Sequence, residues 1–158
     1  MTGRQRNYNE QWQTMIRPFE ENDMEAVLDI WLAASIQAHD FVDPAVWRAQ
    51  VDNMRTLYLP ASQVYVAEDD SKTTGFYALH DNNLAAIFVR PACQGQGIGK
   101  ALIAHAKQQR TELTLSVYKE NHASVQFYLA QGFTLIAEAV DQHTGHPEYI
   151  MRTRKQQM

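Results

Sequence analysis

At 158 residues the chain has the length of one domain, since domains commonly hold about 100–200 residues, and it can bury a core without disulfide or metal staples. Hydrophobic residues at 45% and charged residues at 20% exclude a disordered tail. Fourteen Lys and Arg against eighteen Asp and Glu leave a formal charge of −4, without the basic excess that a nucleic-acid grip needs. The single cysteine, Cys93, allows no intrachain disulfide and no cysteine-rich zinc site, which is compatible with a reducing compartment. No apolar run reaches the ~18 residues of a membrane-spanning helix. Met1 to Thr14 is polar and lacks the apolar centre of a secretion signal. The expectation is a cytoplasmic protein, with 1–14 a flexible extension and 15–155 its domain.

Met15 to Phe19 reads as a first strand that Pro18 confines to a sheet edge or its own end. Asn22 or Asp23 then caps a helix, in which Ala26, Val27, Ile30, Trp31 and Ala34 recur at helical spacing as the buried face. A second helix is expected from Pro44 to Tyr58, closed by Pro60. Gln63–Glu68 and Gly75–His80 flank a polar turn and read as a hairpin. Asp81-Asn82-Asn83 turns the chain into Leu84–Val89, an unbroken apolar run expected to be a strand covered on both faces. Beyond a glycine-rich loop come a helix (Ile98–Gln109), a strand (Leu113–Tyr118), a helix (Ser124–Gln131), a strand (Phe133–Ala139) and a last strand (Glu148–Thr153). Helices first, then strands alternating with helices, predict one α/β sheet domain.

The loop Gln94-Gly95-Gln96-Gly97-Ile98-Gly99-Lys100 carries the chemistry. Alternate glycines turn the backbone tightly and leave no Cβ in a ligand's way. A helix starting there aims unpaired amide hydrogens and its positive dipole end into the loop, a ready site for phosphate, and Lys100 adds charge. A tight turn without a ligand is the plain alternative. The nucleotide-binding Walker pattern fails because Ala101 follows Lys100 where Ser or Thr must hold a metal. A dinucleotide-binding Rossmann-type domain fits less well, since Lys100 replaces the third glycine, although Glu120 lies about 20 residues further on, where a ribose-binding acid would sit.

A second segment, Leu115 to Asn121 followed by Ala123 to Phe133, joins this loop. The order Gln94-x-x-Gly97-x-Gly99, strand, Asn121, and a helix closing on Tyr128-x-x-x-Gly132-Phe133 resembles the GNAT superfamily of N-acetyltransferases. The motif-bearing part spans about Leu84 to Phe133, and Ile16-Arg17-Pro18 with two helices is similar to the family's opening. The resemblance implies a mixed, mostly antiparallel twisted sheet of six to seven strands, flanked by about four helices, in which a splayed strand pair receives acetyl-CoA. It implies that Phe88 and Val89 offer backbone groups to the pantetheine. The amides of Gln94, Gly95, Gln96, Gly97, Ile98, Gly99 and Lys100 would hold the pyrophosphate. Asn121 would lie near the pantetheine, with Tyr128 close to the sulfur as the general acid.

The reaction so implied is direct attack of a primary amine on the thioester in a ternary complex, with no metal. The acceptor is a small molecule, or a lysine or N-terminus of a protein, and the protein a monomer or homodimer. A non-catalytic acetyl-CoA-binding module is the alternative, kept alive by Ser116, which stands where some relatives carry a glutamate base. Glu68, His80, His39 and Asp40 are the other candidate bases, beside a water chain. His39-Asp40-Phe41 reads as a helix-ending loop with an aromatic plug, and His143-x-x-His146 as a turn around Gly145 and Pro147 rather than a metal site. Cys93 is expected to be a small buried apolar residue. Trp31, Trp47, Met54 and Tyr58 are expected in the core or lining the acceptor pocket, and Arg152, Arg154 and Lys155 as a solvated basic tail.

Overall fold

The computed structural model describes residues 14–154. All but Thr14 of the expected extension, and Lys155 of the basic tail, lie outside them. In chain order the elements are β1 (Met15–Pro18), a 3-10 turn at Glu21–Asp23, α1 (Met24–Ala38) and α2 (Pro44–Ala49). A helical turn, Val51–Asn53, runs into a π-helical turn, Met54–Tyr58, before the hairpin of β2 (Gln63–Asp69) and β3 (Lys72–His80). Then follow β4 (Asn83–Val89), α3 (Ile98–Gln109), β5 (Glu112–Tyr118), α4 (His122–Ala130), β6 (Thr134–Val140) and β7 (Pro147–Arg154). Seven strands form one sheet in the order β1-β2-β3-β4-β5-β7-β6, antiparallel throughout except for β4 beside β5. This is the mixed sheet with four helices that the resemblance implied. A sheet with one parallel contact is not doubly wound, so the Rossmann-type alternative falls.

Strand periodicity splits the core into two layers. On β3, Phe76 and Ala78 face α1, meeting Val27, Ile30 and Trp31. Tyr77 and Leu79 face the other way, toward Leu102, Ile103 and Ala106 of α3. Gly75, also on β3, has to be glycine: a Cβ there would stand 2.8 Å from the Phe88 carbonyl oxygen. The two hairpin turns use left-handed residues, Asp70 and Ser71 between β2 and β3 and Asp81 between β3 and β4, the backbone that tight two-residue hairpins require.

Three expectations are corrected. First, Asp23 sits at the start of α1 but no side chain caps that helix. Its buried carboxylate instead takes both terminal guanidinium nitrogens of Arg17, at 2.8 and 2.9 Å, and accepts the Glu20 amide at 2.7 Å in a capping box of the 3-10 turn that precedes the helix. Second, the helix expected over Pro44–Tyr58 breaks at Gln50. The π turn that follows hydrogen-bonds the Leu59 amide to the Met54 carbonyl, which brings these two residues onto one face, and both are buried. The same turn leaves Tyr58 exposed, outside core and pocket alike. Third, β4 is buried only at Leu84 and is half-buried from Ala86 to Val89, because its neighbour turns away from it. The strand expected over Phe133–Ala139 is present as β6, at the sheet edge and exposed along its whole length.

Arg17 also donates from Nε to Glu68 at 3.0 Å, so one guanidinium ties β1, the 3-10 turn and β2 together. Arg17 holds the Asp23 carboxyl below its ordinary value, so this group adds stability above the unfolded-state pKa of about 3.9 and loses it as pH falls through the lower folded value. Asp23→Asn is expected to cost about 1–3 kcal/mol at pH 7, and the gap to the unaltered protein is expected to close in acid. Denaturant unfolding at pH 7 and below pH 4 checks both.

Candidate active site

The site opens where β4 and β5 part. They pair at one point, Asn83 with Thr114, supported by the Thr114 amide bonding to the Asn82 carbonyl at 2.9 Å. Past it β4 pairs only with β3 and β5 only with β7, so the inner edge of β4 carries backbone groups with no partner strand. The gap is part of a cavity of about 970 Å³.

At one end of this cavity lies the glycine loop. Gly95 and Gly97 both have left-handed backbone, at φ 82° and 84°, and a Cβ on either would meet nothing within 4 Å. These glycines are required by conformation and leave the space above them free. Gly97 opens α3 with no side-chain cap. The first helical bond runs from the Ala101 amide to the Gly97 carbonyl, so the amides just before Ala101 are the helix's unpaired donors. Gly99 lies against Phe127, where a Cβ would stand at contact distance, 3.4 Å from the ring. The Gln94 side chain spans from the loop to Gln37 of α1 at 3.0 Å and to the Val89 carbonyl at 3.3 Å.

Phe88, Val89, Gln94, Gly95, Gly97, Ile98, Gly99, Lys100, Asn121 and Tyr128 all lie on the cavity wall. Gln96, expected among them, does not. Asn121 caps α4, its Oδ1 accepting from the Ser124 amide at 3.2 Å. Tyr128 packs its ring against Phe127 and Phe133, centroids 5.4 and 5.7 Å away, and burial pushes its phenol above the ordinary tyrosine range. It is therefore protonated at neutral pH.

Of the four candidate bases, only His39 reaches the cavity. Glu68 is held by Arg17. His80 lies beside Asp81 on an exposed turn, and Asp40 is exposed. The His39 ring sits 5.1 Å from Trp47 and 5.0 Å from Tyr118, and burial lowers its pKa to about 4. Phe41 plugs the loop as expected, against Tyr118 and His146 at 5.5 and 5.1 Å. Trp31 is buried and, with half-buried Trp47, lines the cavity, while Met54 belongs to the core. Cys93 is half-buried against the core. Glu120, the acid weighed for a ribose, pairs with His146 at 2.7 Å.

Two carboxylates on the same wall, Asp141 and Glu148, were not singled out in the sequence. Asp141 accepts from the Tyr118 hydroxyl, the His143 amide at 3.0 Å and the Thr144 hydroxyl at 3.2 Å. Burial works against its charge, but these bonds win and hold it below the ordinary carboxylate range. Glu148, opposite Tyr118 in the β5–β7 register, is raised instead, by burial and then by the charge of Asp141.

A cleft between diverging strands, with an uncapped glycine-flanked helix end at one side and a phenol on its wall, is the architecture of an acyl-CoA-dependent acetyltransferase. Residues 60–135 match the family model described as an acetyltransferase (GNAT) domain. Over 138 residues the chain is 36% identical to the peptidyl-lysine N-acetyltransferase YiaC of Escherichia coli K12, covering 87% of this chain and 94% of that protein. Its fold superposes on the solution structure of apo-form YjaB from Escherichia coli with a TM-score of 0.80 at 26% identity, over 91% of this chain and 99% of that one. PaiA N-acetyltransferase from Thermoplasma acidophilum, solved in complex with coenzyme A, shares the fold with a TM-score of 0.76 at 18% identity, over 90% and 99% of the two chains. The chain belongs to the GNAT family and is an acetyl-CoA-dependent N-acetyltransferase. No helix among the described residues is long and apolar enough to cross a membrane.

Proposed function

We propose that residues 15–155 form one domain that acetylates lysine side chains of proteins. The observation that carries this reading is the parting of β4 and β5 after the Asn83–Thr114 contact, which leaves a strand edge and a helix end aimed into one cavity. Likeness to a peptidyl-lysine N-acetyltransferase over 87% of the chain supports the choice of acceptor.

When bound, acetyl-CoA supplies an activated acetyl thioester. The free amides of Gly97, Ile98, Gly99 and Lys100 are the donors for its pyrophosphate, aided by the helix dipole, each such contact being worth about 0.3–1 kcal/mol when exposed. The unpaired edge at Phe88 and Val89 offers strand-like hydrogen bonds to the pantetheine, as an extended peptide would use. Asn121 Oδ1 is engaged in capping, which leaves its amide nitrogen for the same ligand. Tyr128 donates its phenolic proton toward the leaving sulfur. Held on rigid strands and helices, these groups reduce the entropic cost of bringing amine and thioester together.

The experiment is incubation with acetyl-CoA and two peptide sets, one with blocked N-termini and free lysines, the other with acetylated lysines and free N-termini. Thiol release and mass spectrometry read the outcome. Acetylation of the first set alone supports the reading. Acetylation confined to N-termini or to small amines contradicts it.

A further inference from the structure

A lysine acceptor brings a difficulty that the groups described so far do not solve. Its ammonium has an unperturbed pKa of about 10.4, so at pH 7 only about one molecule in a few thousand carries the free lone pair that can attack. A base on the cavity wall is needed, and Ser116 of β5 cannot supply one. The geometry points to Glu148 as the residue that receives the acceptor's ammonium and takes its proton, in a slot walled by Trp47, Tyr118 and His39. This assignment rests on the lysine reading above.

Strand register puts Glu148 there. Tyr118 pairs with Glu148 and Ser116 with Ile150 across β5 and β7. Residues two apart share a face of the sheet, so Ser116, Tyr118 and Glu148 look to the same side, and all three line the cavity. The carboxylate absent from position 116 is thus supplied by the adjacent strand, one diagonal step away.

Elimination leads to the same residue. Only Asp141 and Glu148 among the described carboxylates line the cavity. Asp141 is committed to Tyr118, Thr144 and the His143 amide. Neighbouring polar groups are also committed, the Lys119 ammonium to Glu138 at 3.0 Å and the His146 ring to Glu120 at 2.7 Å. Tyr118 of β5 stands beside Glu148 by register and Asp141 of the turn acts on it by charge, with His39 against the Tyr118 ring and His143 bonded through its amide to Asp141, while the Lys119–Glu138 pair lies with Tyr149 on the other face of the sheet. None of them forms an ion pair with it. Two neighbouring carboxyls pushed to opposite sides of their ordinary value are a recurrent mark of divided roles, one kept charged and one kept ready for a proton. Aromatic faces at Trp47 and Tyr118 suit the approach of a cation.

The step is one proton transfer. An N–H bond of the ammonium breaks, its electron pair stays on nitrogen as the nucleophilic lone pair, and the proton bonds to a Glu148 carboxylate oxygen. From there it passes to solvent through the mouth of the cleft.

Two measurements test this. The first is calorimetric binding of Nα-acetyl-lysine methylamide to CoA-saturated protein, where Glu148→Gln is expected to weaken binding by about tenfold or more. The second is lysine-peptide kinetics. Glu148→Gln is expected to lower kcat by about 10²-fold or more at pH 7 with the acetyl-CoA KM unchanged. The deficit should shrink toward pH 10 as lysine loses its proton unaided. Glu148→Asp should retain part of the rate, and thermal unfolding should find both variants folded. Equal probe binding by the unaltered protein and Glu148→Gln, absence of saturable binding by the unaltered protein, or an unchanged kcat at pH 7 would each overturn the assignment. If the unaltered protein acetylates no lysine peptide, the proposed acceptor fails, and the calorimetric comparison alone decides whether Glu148 meets an ammonium.

Discussion

Replacing Tyr128 by phenylalanine is expected to lower kcat by about 10²–10⁴-fold while leaving acetyl-CoA affinity nearly unchanged. The two readouts separate because the residue has two separable parts. Its ring fills space beside Phe127 and buried Phe133, and phenylalanine fills that space equally. Its backbone carbonyl accepts the Gln131 and Phe133 amides that close α4, and the substitution leaves these intact. Only the hydroxyl goes. Burial keeps that hydroxyl protonated, so it can donate to a sulfur that develops negative charge as CoA departs. The loss should appear in kcat for every amine acceptor, since the leaving group is common to all. Steady-state kinetics with calorimetry of acetyl-CoA binding reads both parts, and an unchanged kcat would reduce Tyr128 to a packing residue.

Gly97→Val is expected to raise the Kd for acetyl-CoA by at least about tenfold, equivalent to about 1.4 kcal/mol. Gly97 holds φ at 84°, where a β-branched residue is a steric outlier and costs of the order of 1–3 kcal/mol. Its Cβ would clash with nothing in the protein, so the chain should still fold, with a modestly lower Tm. The larger effect falls on the ligand. The new side chain occupies the space over the open helix end, and relief of the strained φ re-aims the amides that start α3. Gly145→Val is the matched control. Its φ is 78° and its Cβ position is equally open, but it lies in the turn between β6 and β7, away from the loop. It should show similar strain with unchanged acetyl-CoA affinity. Equal Kd values for Gly97→Val and the unaltered protein would remove the helix end from cofactor binding.

The parts of the fold legible in the sequence are those built from short-range pattern. Alternate glycines between an apolar run and a helical stretch marked the loop, and α3 runs over the expected Ile98–Gln109. Pro18 confined its strand to a sheet edge or to its own end, and β1 both lies at the sheet edge and ends at Pro18. What escaped depends on contacts distant in sequence. The apolar run of β4 reads the same whether a strand is enclosed or borders a cleft, and only the divergence of β5 decides that it is half-buried. Asp23 has the chemistry of a helix cap, but its carboxylate is taken by a bidentate arginine six residues earlier and by the Glu20 amide, not by an amide of α1. Asp141 and Glu148 lie beyond the motif-bearing segment, and β7 carries Glu148 to the cleft by inserting between β5 and β6. No local spacing announces that insertion. The one hint in the sequence was that the expected last strand, Glu148–Thr153, opens on a carboxylate.

The central claim is that the cofactor's diphosphate sits on the open end of α3 and its pantetheine along the free edge of β4. Titration of CoA into 15N-labelled protein, followed by amide chemical shifts, tests this most directly. The expected result is saturable shifts, largest at Gly95, Gly97, Gly99 and Lys100 and continuing through Phe88 and Val89. Saturable shifts confined to other surfaces, with the loop and β4 amides unmoved, would contradict it.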